Sequence, residues 1–459
     1  MRYEDFIASK RLVAPPCGID DVPDLNPKLF PFQRDITKWA LRRGRSAIWA
    51  DCGLGKSWMA LEWARVIAER GHDVLILTPL AVARQFREEG QKLDLAVTVV
   101  RHAEDVRPGI NVTNYERLHL LDADQFAGVV LDESSCLKDF ASSTRNQLIQ
   151  TFAQTPYRLA CTATPAPNDY IELGNHAEFL GTMTRAEMLA MFFIHDSMKT
   201  QDWRLKRHGA DSFWRWVCSW ACSIRRPSDL GYSDDGFILP PLVTTEHVVS
   251  SDEWAAQAGL LFATDALTLE EQRRARRGSI SARVQCVADI VNASDEQWLV
   301  WCDLNDESAS LTSEIRGAIE IRGSDDPDVK EERMLAFLAG KTRVLVTKPS
   351  IAGYGLNIQC CSHVAFVGIT HSFEAWYQAI RRNWRFGQTR PVECHIVTSE
   401  AEGAVLANLK RKQADAEAMS ADMIIHMADI TKSELTATRR SVTEYIPGVE
   451  MEVPSWLTC

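Results

Sequence analysis

Between Ser46 and Ser57 the chain reads Ser-Ala-Ile-Trp-Ala-Asp-Cys-Gly-Leu-Gly-Lys-Ser, an apolar strand running into a glycine-punctuated loop that ends in Lys56-Ser57. No other segment limits the choice of fold so tightly. A loop that turns successive backbone N–H groups onto phosphate oxygens needs a strand to deliver it and a helix N-terminus to receive it. Gly53 and Gly55 permit the curl around Leu54, Lys56 supplies a point charge for the β- and γ-phosphates, and Ser57 offers a hydroxyl to Mg2+. The pattern is A-x-x-G-x-G-K-[ST], with Ala50 where the strict phosphate-loop pattern has its first glycine. Taken alone, Gly-Leu-Gly-Lys also fits an ordinary helix-entry turn.

A second segment narrows the choice. Val129-Val130-Leu131-Asp132-Glu133-Ser134-Ser135 is another apolar strand, and it delivers two adjacent carboxylates at its carboxyl end. Open α/β sheets place ligands at that edge. Asp132 is expected to hold magnesium and Glu133 to orient or deprotonate the attacking water, the division of labour that phosphoryl transfer requires. A solvated Asp-Glu turn is the commoner fate of such a pair in isolation. Two motifs about 75 residues apart, with strands and helices alternating between them, point instead to a nucleotide site that uses ATP and Mg2+.

Strand candidates in the first half are Ala47 to Ala50, Val74 to Thr78, Ala96 to Val100, Asn111 to Thr113, Val129 to Leu131 and Arg158 to Thr162, with amphipathic helical stretches between several of them. This alternation means a parallel, doubly wound sheet. From about Met183 the texture turns Met-, Trp- and Arg-rich and helical. This segment is read as an insertion and not as a continuation of the sheet. Trp214, Val217, Cys218 and Ala221 fall on one helical face, and Trp203, Trp214, Trp216 and Trp220 are read as core and not as base-stacking groups. After the helical pattern Ile280 to Val291, strands Trp298 to Cys302, Ile319 to Ile321, Arg343 to Thr347, His363 to Val367 and Glu393 to Val397 repeat the architecture without a second phosphate loop. The expected division is a first lobe at 25–182, a helical insertion and connector at 183–278, a second lobe at 279–436 and an aperiodic tail at 437–459.

At 459 residues the chain exceeds one ordinary core. No stretch approaches 18 uncharged apolar residues, so no membrane span is expected, and the acidic start Met-Arg-Tyr-Glu-Asp-Phe is not a secretory signal. A cytoplasmic protein is expected. The 12 cysteines include no C-x-x-C pair, which favours reduced thiols over zinc or disulfides. A formal net charge of −11 argues against coating nucleic acid by bulk charge. It leaves room for a motor that grips a backbone in one cleft. Arginines cluster at Arg204 and Arg207, Arg225-Arg226, Arg273 to Arg277, and Arg381 to Arg390, each by itself readable as a solvated face.

With these residues placed, the chain resembles the superfamily 2 helicases, and within them the SWI/SNF-type DNA translocase ATPases, most closely the compact bacterial and phage versions. The resemblance runs from about Leu29 to Val397. Phe32-Gln33 resembles the adenine-reading glutamine element, Gln33 being its amide. Leu77-Thr78-Pro79-Leu80 and Thr113-Asn114-Tyr115-Glu116 resemble first-lobe loops that touch a nucleic-acid backbone, implying contacts from Pro79, Asn114 and Tyr115. Thr162-Ala163-Thr164-Pro165-Ala166-Pro167-Asn168 resembles the T-G-T-P-x-x-N element, with Thr162 and Thr164 coupling hydrolysis to lobe movement and Ala163 replacing the glycine. Gly353-Tyr354-Gly355-Leu356-Asn357-Ile358-Gln359 resembles G-x-G-L-N-L-Q, implying Gly355 at the nucleotide and Asn357 at nucleic acid. Gln378 to Gln388 matches Q-A-x-x-R-x-x-R-x-G-Q. There Gln378 falls at a coupling position and Arg382 and Arg385 at the finger positions, while Arg381 is not read as catalytic. Trp384 stands where the family commonly has histidine.

The resemblance implies two RecA-like doubly wound lobes with a helical insertion between them. The expected activity is a nucleic-acid-stimulated ATPase that translocates on DNA, duplex favoured over single strands or RNA, in a prokaryotic or phage-infected cell. A protein partner supplying target specificity is compatible with it. The competing readings are a strand-separating DNA or RNA helicase, and a nucleotide-gated binding module with negligible turnover.

Overall fold

The computed structural model describes residues 13–79, 82–137, 142–166, 169–195, 203–250, 276–352, 357–368 and 373–439. Gly355, Asn168, Arg273, Arg274 and the tail from 440 onward lie outside the described residues.

Two parallel sheets organise the chain. The first contains β1 (Arg45–Ala50), β2 (Val74–Thr78), β3 (Val97–Val99), β4 (Ile110–Asn114), β5 (Gly128–Asp132) and β6 (Tyr157–Thr162). A short antiparallel hairpin follows, β7 (Phe193–His195) with β8 (Trp203–Leu205), and then β9 (Ala221–Ile224). The first sheet has the order β3-β4-β2-β5-β6-β1-β9, every pair parallel. Its strands read as unbroken apolar runs because helices cover both faces: Val74, Leu75, Ile76 and Leu77 are all fully buried. Each such side chain contributes about 1.5–3 kcal/mol over its exposed state.

The second sheet comprises β10 (Leu242–Val249), β11 (Trp298–Trp301), β12 (Ala318–Glu320), β13 (Val344–Thr347), β14 (His363–Val367) and β15 (Val392–Ser399). The order is β10-β15-β14-β11-β13-β12, again all parallel. Two parallel-sheet α/β lobes result, the architecture that the alternation implied.

The segment between the lobes differs from the expectation at both ends. The helix Ala210–Cys218 stops one residue before Ser219, and Ala221 opens β9 instead of extending the helical face. Ala47 to Ala50 pair with Ala221 to Ile224, so this stretch continues the first sheet. Leu242–Val249, assigned by sequence to the connector, is an edge strand of the second sheet alongside Val392–Ser399. The tryptophans behave as expected: Trp214, Trp216 and Trp220 are buried core, with Trp203 half-buried in the hairpin.

The chain then returns. The helix Gly403–Arg439 leaves the second sheet and buries Met423 and Met427 in one core cluster of the first lobe and Leu435 in the other. His426 stacks on Trp214 with ring centroids 5.4 Å apart. Among the described residues no helix is long and apolar enough to cross a membrane.

Candidate nucleotide site between the lobes

In a parallel sheet every strand ends at the same edge, so Ala50, Thr78, Asn114, Asp132 and Thr162 all deliver their following loops to one side of the first lobe. The loop after β1 carries Gly53 at φ +89° and Gly55 at φ +79°. Both positions need glycine for space as well as conformation. A Cβ on Gly55 would lie 2.2 Å from Gln33 Nε2, and one on Gly53 would lie 2.8 Å from the backbone nitrogen of Phe386, which belongs to the second lobe. Lys56 begins the helix Lys56–Ala68 with Ser57 beside it. Its Nζ donates to the carbonyls of Ala50 at 2.7 Å and Asp51 at 3.3 Å.

Gln33 is buried, and both ends of its amide are engaged: its Nε2 donates to the Leu54 carbonyl at 2.9 Å, and its Oε1 accepts from the Phe30 N–H at 2.9 Å, which leaves a second N–H and a second lone pair. The glutamine therefore ties the helix Pro31–Arg43 to the phosphate loop. Beside it Phe30, Phe237 and Phe386 gather from the first lobe, the connector and the second lobe, with Phe237 4.9 Å from each of the other rings.

Asp132 and Glu133 follow at the end of β5. Glu133 sits at φ +60°, left-handed backbone that a non-glycine residue adopts at a cost. Its Oε1 accepts from Thr162 Oγ1 at 2.8 Å, and the Thr164 N–H in turn donates to Thr162 Oγ1 at 3.1 Å. The Asp132 carboxyl is pushed up to about 7, first by burial and then by the Glu133 charge, against the opposing pull of Lys56 and Arg382. Two acids, one lysine and one arginine from the other lobe thus share a single field.

The second lobe supplies its groups from the helix Phe373–Ile380 and the turn after it. Gln378 Nε2 lies 3.5 Å from Glu133 Oε1 across the lobe boundary. Arg382 grips Gln378 twice, through Nη2 to its side-chain carbonyl at 2.7 Å and through Nε to its backbone carbonyl at 3.1 Å. Arg385 is held below the usual guanidinium range by burial and then by the neighbouring Arg382 charge. A buried guanidinium, Arg382, and a half-buried one, Arg385, that feel each other's charge favour an anion between or beside them.

Of the expected nucleic-acid residues, Pro79, Asn114 and Tyr115 lie on that edge of the first lobe and Asn357 lies between β13 and β14 of the second, with differing engagement. Pro79 follows β2 directly. Asn114 is buried, and its Oδ1 accepts from the Arg117 N–H as a helix cap. Tyr115 turns inward, its hydroxyl donating to the Asp132 carbonyl at 2.8 Å, so it braces the carboxylate strand. Asn357 is half-buried, and its Oδ1 has no hydrogen-bond partner among the described residues. Sequence reasoning missed Asp51 and Tyr377, whose side chains meet across the lobes together with Arg381. An acid inside the loop was the one visible signal; Tyr377 gave none. A cavity of about 380 Å³ at β12, lined by Thr312, Glu320, Arg322 and Arg333, shares no residue with this site.

Residues 282–387 match the helicase conserved C-terminal domain. The chain is similar to the mouse (Mus musculus) DNA annealing helicase and endonuclease ZRANB3, 26% identical over 439 residues, covering 86% of this chain and 41% of that protein. The Bos taurus protein of the same name is 32% identical over 168 residues, covering 32% of this chain and 16% of its own length. The chain therefore spans well under half the length of the curated relatives it matches. Among solved structures, the Sulfolobus solfataricus SWI2/SNF2 ATPase core in complex with dsDNA aligns over 94% of this chain and 99% of that one, at 17% identity and a TM-score of 0.41. The resemblance to superfamily 2 helicases of the SWI/SNF type is borne out.

Proposed function

We propose that this chain is an ATP-driven motor that couples hydrolysis to movement along duplex DNA. The observation that carries the reading is the contact of Gln378 with Glu133, because it joins the hydrolytic carboxylate of one lobe to the arginine-bearing turn of the other. In this reading Gly53, Leu54, Gly55 and Lys56 cradle the triphosphate, with Gln33 and Gly355 at the rest of the nucleotide. Asp132 and Ser57 hold Mg2+. The crowded, raised carboxyl of Asp132 beside Glu133 fits a divalent cation, and magnesium bound through one carboxylate usually completes its shell with phosphate oxygens and water. When bound, the ion would neutralise charge on the β- and γ-phosphates. Glu133 accepts a proton from the attacking water, held for that task by Thr162. Arg382 and Arg385 offset the charge that spreads over the transferring phosphoryl group.

Thr162, Thr164 and Gln378 pass the state of the γ-phosphate to the lobe boundary, and opening and closing then become steps. Pro79, Asn114, Tyr115 and Asn357 mark the loops facing the nucleic acid. Contacts of this kind meet the backbone and carry no sequence information, so target choice falls to a protein partner.

Glu133→Gln separates binding from chemistry. The amide keeps the size and loses the basicity, so turnover falls roughly 100-fold while ATP and magnesium still bind. The variant should be trapped in its ATP-bound grip on DNA, read as slower dissociation from labelled duplex when ATP is present. Parental turnover in this variant would move the catalytic role elsewhere.

The substrate is tested by ATPase rate with no nucleic acid, single-stranded DNA, duplex DNA and RNA in turn. Duplex should stimulate most, and the stimulation should fall steeply with salt as phosphate contacts release counterions. A triplex-forming strand should be displaced while a forked duplex stays paired. Unwinding of the fork without triplex displacement would promote the strand-separating alternative.

A further inference from the structure

Asp51 is the residue immediately after β1, and its carboxylate is held by the opposite lobe. Oδ2 accepts from Arg381 Nη2 at 2.8 Å and Oδ1 from the Tyr377 hydroxyl at 2.7 Å, while the loop's own Cys52 N–H also donates to Oδ1 at 2.7 Å. The arginine and aspartate side chains keep only 10% and 18% of their exposure. Both charges are therefore largely desolvated, and each is stranded if the contact is lost.

Each partner is aimed from its own side. The Arg381 guanidinium lies 4.6 Å from the Trp384 ring and 5.1 Å from the Tyr377 ring, positions that attract a cation to the ring faces. Trp384 is itself pinned, its indole N–H donating to the Pro240 carbonyl at 2.7 Å. Asp51 is fixed by its backbone N–H on the Ile224 carbonyl of β9 at 3.0 Å. Neither group has to reorganise to meet the other.

We propose that Asp51, Tyr377 and Arg381 form a latch that docks the phosphate loop on the second lobe before nucleotide arrives and so presets the loop for ATP. The inference rests on the reading of that loop as the ATP site. Arg381 and Tyr377 are positioning residues: they act through Asp51 and not on the nucleotide. Lys56 sits on the carbonyls of Ala50 and Asp51, so the latch and the lysine work on the same two-residue stretch. If only the latched form receives ATP, apparent affinity is the intrinsic affinity scaled by the latched fraction. Loss of the latch therefore appears in KM. At saturating ATP the nucleotide itself bridges the lobes, and kcat is unaffected.

The test uses the full chain carrying donor and acceptor dyes at Glu88 and Asp295, exposed on the first and second lobes. Lobe separation is read without nucleotide, and ATPase kinetics are read separately. Arg381→Gln should lower the closed fraction and raise KM for ATP by about tenfold, with kcat within about twofold of the parent. Arg381→Lys, which keeps the charge and loses the fork, should fall between the two. Asp51→Asn should open the lobes as far as Arg381→Gln does, and the double variant no further, because each single change already breaks the same contact. Additive opening in the double variant, a parental closed fraction and KM in Arg381→Gln, or a loss confined to kcat would each overturn the latch. A parent that fails to bind ATP would overturn the reading of the loop instead, and the dye measurement without nucleotide would still decide the latch.

Discussion

Arg382→Ala should turn over ATP about 1,000-fold more slowly than the parent, and Arg385→Ala should match it, with nucleotide affinity changed far less. The two substitutions remove the same kind of charge by different routes. Arg385 is half-buried within the field of Arg382, so in the proposed reading its loss takes away positive charge beside the transferring phosphoryl group. Arg382 also holds Gln378 at two points, and Gln378 reaches Glu133. Its removal therefore loosens the alignment of the Glu133 carboxylate too, the proposed base. Arg382→Lys does not rescue, because an ammonium cannot donate both N–H groups in that fixed fork. Pre-steady-state turnover at saturating ATP and DNA measures this directly. Near-parental rates in both alanine variants would remove the fingers from this turn.

Lys56→Ala should abolish turnover to a similar degree, on the order of 1,000-fold, the upper range for one preorganised electrostatic contact. Lys56 lowers the Asp132 carboxyl against the combined push of burial and Glu133. The variant thus loses the phosphate contact and also a charge that helps keep Asp132 ionised for a metal. The fold should survive, since among the described residues the Lys56 ammonium donates only to the carbonyls of Ala50 and Asp51, and the helix behind it is anchored by Met59, Trp63 and Ile67. A folded Lys56→Ala protein that hydrolyses ATP at the parental rate with DNA present would refute the phosphate-loop assignment.

Local patterns were legible and long-range ones were not. The phosphate loop, the Asp132-Glu133 strand and Gln378 to Gln388 each lie within a dozen residues, and the backbone conformation they require shows in the glycines and apolar runs beside them. Strands Val74–Thr78 and His363–Val367 were read to the residue because fully buried parallel strands are continuous apolar runs. Ala221–Ile224 was hidden because four small or apolar residues following a helical face extend its period as readily as they start a strand. Leu242–Val249 was hidden for the opposite reason: as an edge strand it leaves Thr244, Thr245 and Glu246 exposed, and it follows two prolines. Tyr115 matched a backbone-contacting element yet faces Asp132, a choice of side-chain direction that the motif does not encode. Asp51 and Arg381 are 330 residues apart, and nothing local to either announces the other.

The returning helix has a consequence for how the protein is made. Met423 and Met427 close an apolar surface of the first lobe that Trp214, Val217 and Cys218 also line. On a ribosome the last strand of that lobe's sheet, ending at Ile224, emerges about 200 residues before these methionines. At roughly 5–20 residues per second the delay is about 10–40 s. Throughout that interval the nascent first lobe has its sheet but not its lid, and it presents a tryptophan-lined apolar face to the cytosol of whichever cell synthesises it. Timing of translation, and any chaperone that covers this face until Met423 arrives, thereby enter the yield of active protein.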